Sequence, residues 1–246
     1  MAAGIAALAR RTALVVVHGG GKEIDAALAT AGIAKRQVDG LRITDAPTLD
    51  VVVGVLAGSI NTGLVAAVRQ AGGRPVGLTG ADAGVAVMKR AAPITSVAGE
   101  TVDLGLVGTP AGGDPELLAE LTARGYVPIV ACIGATRQGE LLNVNADTLA
   151  AHLAGALGAV RLVIAGGTAG VLDEEGQTIP RLTSAQAARL IAAGTANKGM
   201  VAKLQACRAA VRKGVGDVVI ANGRTVQFPA LASARDAVAG CTQVVR

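Results

Sequence analysis

Aromatic side chains are almost missing from this 246-residue chain, which has one Phe, one Tyr and no Trp. That scarcity excludes a sandwich built on aromatic strands. It also removes the stacking platforms that hold single-stranded nucleic acid. Histidine stops at two and cysteine at three. Cys132, Cys207 and Cys241 lie far apart with no His nearby, so no zinc centre or other metal site is expected, and unpaired thiols fit a reducing, cytoplasmic setting. Cys132 stands in the apolar run Ile129-Val130-Ala131-Cys132-Ile133 and reads as core. The net charge is +5, but the basic residues are scattered, with only short pairs such as Arg10-Arg11 and Lys35-Arg36. No nucleic-acid partner is therefore expected, while the positive bias favours anionic small molecules. Residues 1–17 are apolar, yet they lack a charged start and are interrupted by Arg10-Arg11, unlike a signal peptide. With no run of eighteen apolar residues elsewhere, no membrane span is expected either.

Small aliphatic residues fill the gap. Hydrophobic residues make up 51% of the chain and glycine contributes 34 positions, a balance suited to buried strands alternating with Ala-rich helices. Strands are expected at residues 14–17, 75–78, 127–133, 161–165 and 217–221. Helices are expected at 23–31, 49–71, 114–125, 146–157, 184–193 and 201–211. Strand, glycine turn and helix repeated this often imply right-handed crossovers and a mainly parallel sheet covered on both faces. Between residues 85 and 107 the pattern weakens into short β-rich pieces, expected as a hairpin or lid.

Four segments carry possible chemistry. The first is Val17-His18-Gly19-Gly20-Gly21-Lys22, where glycines after a strand bring backbone N–H groups close to an anion. It fits neither the Walker A loop nor the dinucleotide fingerprint, and taken alone it is equally a tight strand-to-helix turn. The second, Gly40-Leu41-Arg42-Ile43-Thr44-Asp45, offers an Arg able to fork onto a carboxylate or phosphate, or simply a surface Arg near a helix cap. The third is Asn143-Val144-Asn145-Ala146-Asp147 at the mouth of a helix. An N-cap accounts for one of its three polar residues, Asn145 or Asp147, but not for all. The fourth, Thr195-Ala196-Asn197-Lys198-Gly199-Met200-Val201-Ala202-Lys203, puts Lys203 in the first turn of a helix, where the macrodipole opposes a cation unless an anion is present.

Taken in order, these segments resemble acetylglutamate kinase of the amino-acid kinase family. Leu56-Ala57-Gly58 with Asn61, Gly77-Leu78-Thr79-Gly80 with Asp82, Leu104-Gly105-Leu106-Val107-Gly108 and Asn222-Gly223-Arg224 complete the pattern. The resemblance implies a single domain over 1–246 with a three-layer αβα sandwich and a mainly parallel central sheet. Its lobes would be 1–142 for the acceptor and 143–246 for the nucleotide. It implies transfer of the γ-phosphoryl group of ATP, with Mg²⁺, to the side-chain carboxylate of N-acetyl-L-glutamate in arginine biosynthesis. By position, Gly20 and Gly21 are expected to hold the acceptor and the moving phosphoryl group, and Arg42 and Asn143 to grip the α-carboxylate. Lys203 is expected to neutralise charge on the ATP side and Asp147 to orient the active-site lysines. Gly167, Thr168, Gly170, Thr195 and Asn197 are expected at the nucleotide. A carboxylate nucleophile needs no general base, so a site without catalytic His or Cys is consistent, and His18 reads as a loop-shaping residue. A homodimer is expected by the same resemblance.

The pattern has departures. The family opens with a strand ending in Lys-x-Gly-Gly, which is expected to be missing here, and Gly166-Gly167-Thr168 stands where Thr-Asp-Val is usual. Thr62 replaces a usual Lys and Lys198 a usual Gly. Two alternatives follow. One is a catalytically impaired homologue acting as a ligand-binding sensor or partner subunit, and the other a kinase acting on carrier-linked aminoadipate.

Overall fold

Ala-rich helices do alternate with β-branched strands, in a computed structural model that describes residues 1–96, 99–173, 175–194, 196, 198–225, 228 and 240–246. The chain divides into two units, Thr12–Leu149 and Met1–Arg11 with Ala150–Arg246. Helix α1 (Ala2–Ala9) opens the chain and belongs to the second of them.

The first unit begins with β1 (Val16–His18) and α2 (Gly21–Thr30), then the hairpin β2 (Gln37–Val38) and β3 (Leu41–Arg42). The hairpin turn is Asp39-Gly40, both with positive φ (47° and 82°), the two-residue geometry that matches strand twist. Next come α3 (Ala46–Val53), a π-helical stretch Gly54–Ile60 and α4 (Asn61–Gln70), so the helix expected over 49–71 is one continuous run with a widened middle. Asp45 caps α3 by accepting from the Thr48 N–H, with Pro47 in the first turn. By length and composition the run Ala46–Gln70 could cross a membrane (mean hydropathy 2.0), which the sequence reading did not register. Its Leu49, Val52, Leu56 and Val68 are buried, and Asn61 ties it to the strands beside it.

The unit continues with β4 (Pro75–Thr79), β5 (Val87–Arg90), β6 (Ile94–Thr95), β7 (Thr101–Val102), β8 (Val107–Gly112), α5 (Glu116–Ala123), β9 (Val127–Ala131), β10 (Ile133–Ala135) and β11 (Leu141–Val144). Strands β1, β9 and β4 form a parallel sheet with β9 in the middle. Every residue of β9 is buried, which is why it reads as an unbroken apolar run instead of an alternating one. The weak region 85–107 supplies β5 to a small closed barrel in the order β10-β11-β8-β5 and forms a separate hairpin of β6 and β7. The expected strand 127–133 is thus two, split at Cys132.

Helix α6 (Ala146–Ala156) spans the division between the units at Leu149 and Ala150. Strand β11 pairs with β8 and β10, and residues 143–149 belong to the first unit. The second unit holds β12 (Arg161–Gly166), β13 (Arg181–Thr183), α7 (Ser184–Ala192), α8 (Lys198–Arg212), β14 (Asp217–Asn222) and β15 (Thr242–Val245). Its sheet runs β12-β14-β15-β13, parallel except between β14 and β15. A Thr183/Gln186 capping box starts α7. Leu204, Cys207, Ala210, Val218, Ile220 and Val244 form the centre of its core.

Candidate active site

Within the first unit, β1 delivers the glycine loop to the start of α2. Gly20 is the N-cap of α2 and Gly21 its first residue, so their N–H groups have no acceptor in the first helical turn. Close packing explains two of the three glycines. A Cβ on Gly19 would lie 3.3 Å from the Cβ of Ala146, the first residue of α6, and one on Gly20 only 2.0 Å from Ile60 Cδ1. Nothing lies within 4 Å of the corresponding point on Gly21. The loop therefore leads into the start of α2 and packs against the start of α6, the positive ends of two helix dipoles.

The hairpin turn at Asp39-Gly40 aims Arg42 towards this loop. Arg42 Nη2 donates to Asp25 Oδ1 on α2 at 2.5 Å and approaches the Gly21 carbonyl at 3.4 Å. The side chain is 9% exposed, and its buried Nη1 has no hydrogen-bond partner. Burial pushes the Asp25 carboxyl up, but hydrogen bonds from Lys35 and Arg42 outweigh it and hold the pKa below the usual value. Asn143 joins the same cluster through fully buried Thr44. Asn143 Nδ2 donates to Thr44 Oγ1 at 3.2 Å, and that hydroxyl donates to the Arg42 carbonyl at 3.3 Å. Gly105 (φ 71°) lets the chain pass Thr44, since a Cβ there would meet the Thr44 carbonyl at 2.5 Å.

Asn145 is the residue that caps α6, accepting from the Thr148 N–H and hydroxyl. Asp147 follows in the first turn, half-buried. Its charge reaches Cys132, whose thiol is pushed up to about 12, chiefly by burial. Gly20, Gly21, Arg42, Asn143 and Asp147, expected from the sequence, therefore gather around the starts of α2 and α6. Sequence reasoning missed Asp25 and Thr44 as partners. Asp25 had no signal, whereas the Asp39-Gly40 pair between Val38 and Leu41 was a readable hairpin mark.

In the second unit, Lys203 lies along the end of β12. A Cβ on Gly166 would come 3.1 Å from Lys203 Cε and 3.8 Å from its Nζ. Helix α8 starts at Lys198, so Lys203 stands in the second turn and not the first. The helix dipole opposes the ammonium less at that position, and the side chain runs beside Gly166. Thr168 and Gly170 border a cavity of about 100 Å³ together with Val171, Leu172, Leu190 and Met200. Gly167 is exposed with open space at its Cα. Thr195 and Asn197 lie outside the described residues. Among the described residues no group of three His, Cys, Asp or Glu could hold a metal ion.

The acetylglutamate kinase of Gluconacetobacter diazotrophicus is 43% identical over 213 residues, covering 85% of this chain and 68% of that one. That of Azorhizobium caulinodans is 45% identical over 215 residues, covering 85% and 71%. Among solved structures, a Streptococcus mutans protein superposes with a TM-score of 0.78 at 26% identity, covering 95% and 86%. The model of the amino acid kinase family matches residues 1–222, from α1 through β14. With glycine loop, hairpin arginine and α6 mouth all inside that match, the chain belongs to the amino acid kinase family.

Proposed function

We propose that this protein is an ATP-dependent phosphotransferase that phosphorylates the side-chain carboxylate of N-acetyl-L-glutamate to an acyl phosphate, as a step of arginine biosynthesis. The observation that carries the reading is Arg42. A guanidinium 9% exposed with Nη1 unsatisfied is costly to bury unless an anion completes its hydrogen bonds. The Asn143 amide and the loop N–H groups stand in the same cluster, as a carboxylate-bearing acceptor needs. The relatives named acetylglutamate kinase, 42–45% identical, support the choice of acceptor.

In this reading Arg42 and Asn143 hold the α-carboxylate, and the N–H groups of Gly20 and Gly21 meet the transferring phosphoryl group. The acceptor carboxylate attacks directly, so the protein contributes positioning and charge stabilisation without taking a proton. Lys203 neutralises charge accumulating on the leaving phosphate, and Asp147 keeps the lysine-orienting role that the resemblance implies. The cavity bounded by Thr168 and Gly170 takes part of the nucleotide, whose other contacts include Gly167, Thr195 and Asn197. Mg²⁺ would come bound to the ATP phosphates, where it would neutralise charge while keeping several of its waters. Three buried cysteines outside any disulfide support a cytoplasmic setting, and a homodimer with no membrane or nucleic-acid partner completes the reading.

The test is an ATP-dependent hydroxamate assay on the 246-residue chain. Acyl phosphate should form with N-acetyl-L-glutamate and not with free glutamate. ATP binding without any hydroxamate would refute catalysis by this chain and favour a ligand-binding role.

A further inference from the structure

Beneath the glycine loop lies a hydrogen-bond relay, rooted in a buried amide, that the phosphoryl-transfer chemistry leaves unused. The Asn61 side chain, 5% exposed, places Nδ2 2.9 Å from the Ile129 carbonyl, 3.3 Å from the Leu78 carbonyl and 3.0 Å from His18 Nε2. Carbonyl oxygens only accept, so the amide end facing them is the donor NH₂. The reverse orientation would set an oxygen against two oxygens. His18 Nε2, facing the same donor, must then be the acceptor, which leaves the ring proton on Nδ1. Nδ1 lies 3.2 Å from the Gly19 carbonyl, again an acceptor, so one tautomer satisfies both ends of the ring.

The consequence passes along the backbone. In a planar trans peptide, C=O and N–H point in opposite directions. Fixing the Gly19 carbonyl therefore fixes the Gly20 N–H. Two successive glycines would otherwise leave this peptide unusually free to rotate.

We propose that Asn61 and His18 are a positioning pair: Asn61 dictates the His18 tautomer, and His18 Nδ1–H aims the Gly19–Gly20 peptide so that Gly20 N–H meets the transferring phosphoryl group. The pair rests on the reading of Gly20 given above, and neither side chain touches a reacting atom. Burial pushes the His18 pKa below its ordinary value, partly opposed by the Gly19 hydrogen bond, and so keeps the ring neutral.

Two near-isosteric variants separate the two ends of the ring. His18→Asn carries an N–H near the position of Nδ1 and can still hold Gly19. His18→Gln places its amide near Nε2, where it can meet Asn61 but cannot hold Gly19. Misaiming a preorganised group typically costs on the order of 10- to 100-fold, and that loss is expected in kcat for His18→Gln, with KM for N-acetyl-L-glutamate little changed. His18→Asn should retain most of kcat. Equal losses in the two, or a loss confined to KM, overturns the proposal. Thermal denaturation of each variant identifies any that fails to fold.

A second readout is independent of turnover. Ring-nitrogen NMR of the wild-type chain, with His152→Gln to assign the chain's other histidine, should show His18 neutral and protonated on Nδ1. A proton on Nε2, or a charged ring at neutral pH, overturns the proposal even in an active enzyme. An inactive wild-type chain with the Nδ1–H tautomer supports the relay and counts instead against the proposed function.

Discussion

Arg42 on β3 and Asp25 on α2 are 2.5 Å apart, and the other Asp25 oxygen accepts from Lys35 at 2.6 Å. One carboxylate thus steadies both a half-exposed lysine and the buried guanidinium assigned to the acceptor. Asp25→Asn should destabilise the protein at neutral pH and raise KM for N-acetyl-L-glutamate, since Arg42 loses its charged partner. The pH dependence has a definite sign. The folded-state pKa of Asp25 is depressed, so its contribution is present above the unfolded value of about 3.9 and is lost as pH falls through the folded value. Urea unfolding of wild type and Asp25→Asn should show a gap at pH 7 that closes on acidification below about 4. A gap constant with pH would exclude the ion pairs as its cause.

Lys203 and Gly166 form a second testable contact. Gly166→Ala puts a methyl 3.1 Å from Lys203 Cε. A flexible side chain absorbs that displacement, so stability should barely change while the ammonium moves. Loss of a charge-stabilising group usually costs about 10²–10³ in kcat. Lys203→Met should approach that range, with Gly166→Ala intermediate and neither much altering KM for the acceptor. Full activity in Gly166→Ala would separate the packing of Lys203 from the catalytic role proposed for it.

Most of the strand and helix alternation was legible because buried parallel strands and Ala-rich helices write contrasting patterns. The run 127–133 was read as one strand because an apolar stretch does not reveal where pairing changes partners. At Cys132 the chain leaves the parallel sheet for the barrel. The barrel strands themselves were obscure, being short and held by long-range pairing that leaves little local periodicity. Residues of the candidate site stood out as motif members, but their contacts did not. Nothing in the sequence says that Thr44 bridges Arg42 to Asn143 across 99 positions, or that Asn61 reaches His18. Those links depend on tertiary register, which spacing alone does not encode.

Cys132 gives a prediction about reactivity. Its thiol is buried and pushed up to about 12, so almost no thiolate exists near pH 8. Alkylation with iodoacetamide followed by peptide mass spectrometry should leave Cys132 unmodified in the native protein and label it in urea. Rapid native labelling would mean that the chain opens locally at the junction of β9 and β10.

The glycine loop separates packing from ligand approach most cleanly. A methyl on Gly20 would clash with Ile60 Cδ1 at 2.0 Å and crowd Leu56 Cδ2 at 3.1 Å. Gly20→Ala should therefore lose about 1–3 kcal/mol of stability through overpacking, as well as activity. Gly21→Ala meets nothing within 4 Å, and Ala at a helical position is favoured over Gly by about 0.5–1 kcal/mol. Its melting temperature should hold or rise. If Gly21 lies bare because substrate approaches its backbone, the added methyl occupies the acceptor's space and raises KM for N-acetyl-L-glutamate, while ATP binding by calorimetry stays unchanged. A Gly21→Ala enzyme both more stable and fully active would show that the third glycine serves neither fold nor ligand, and would move the acceptor contacts away from the start of α2.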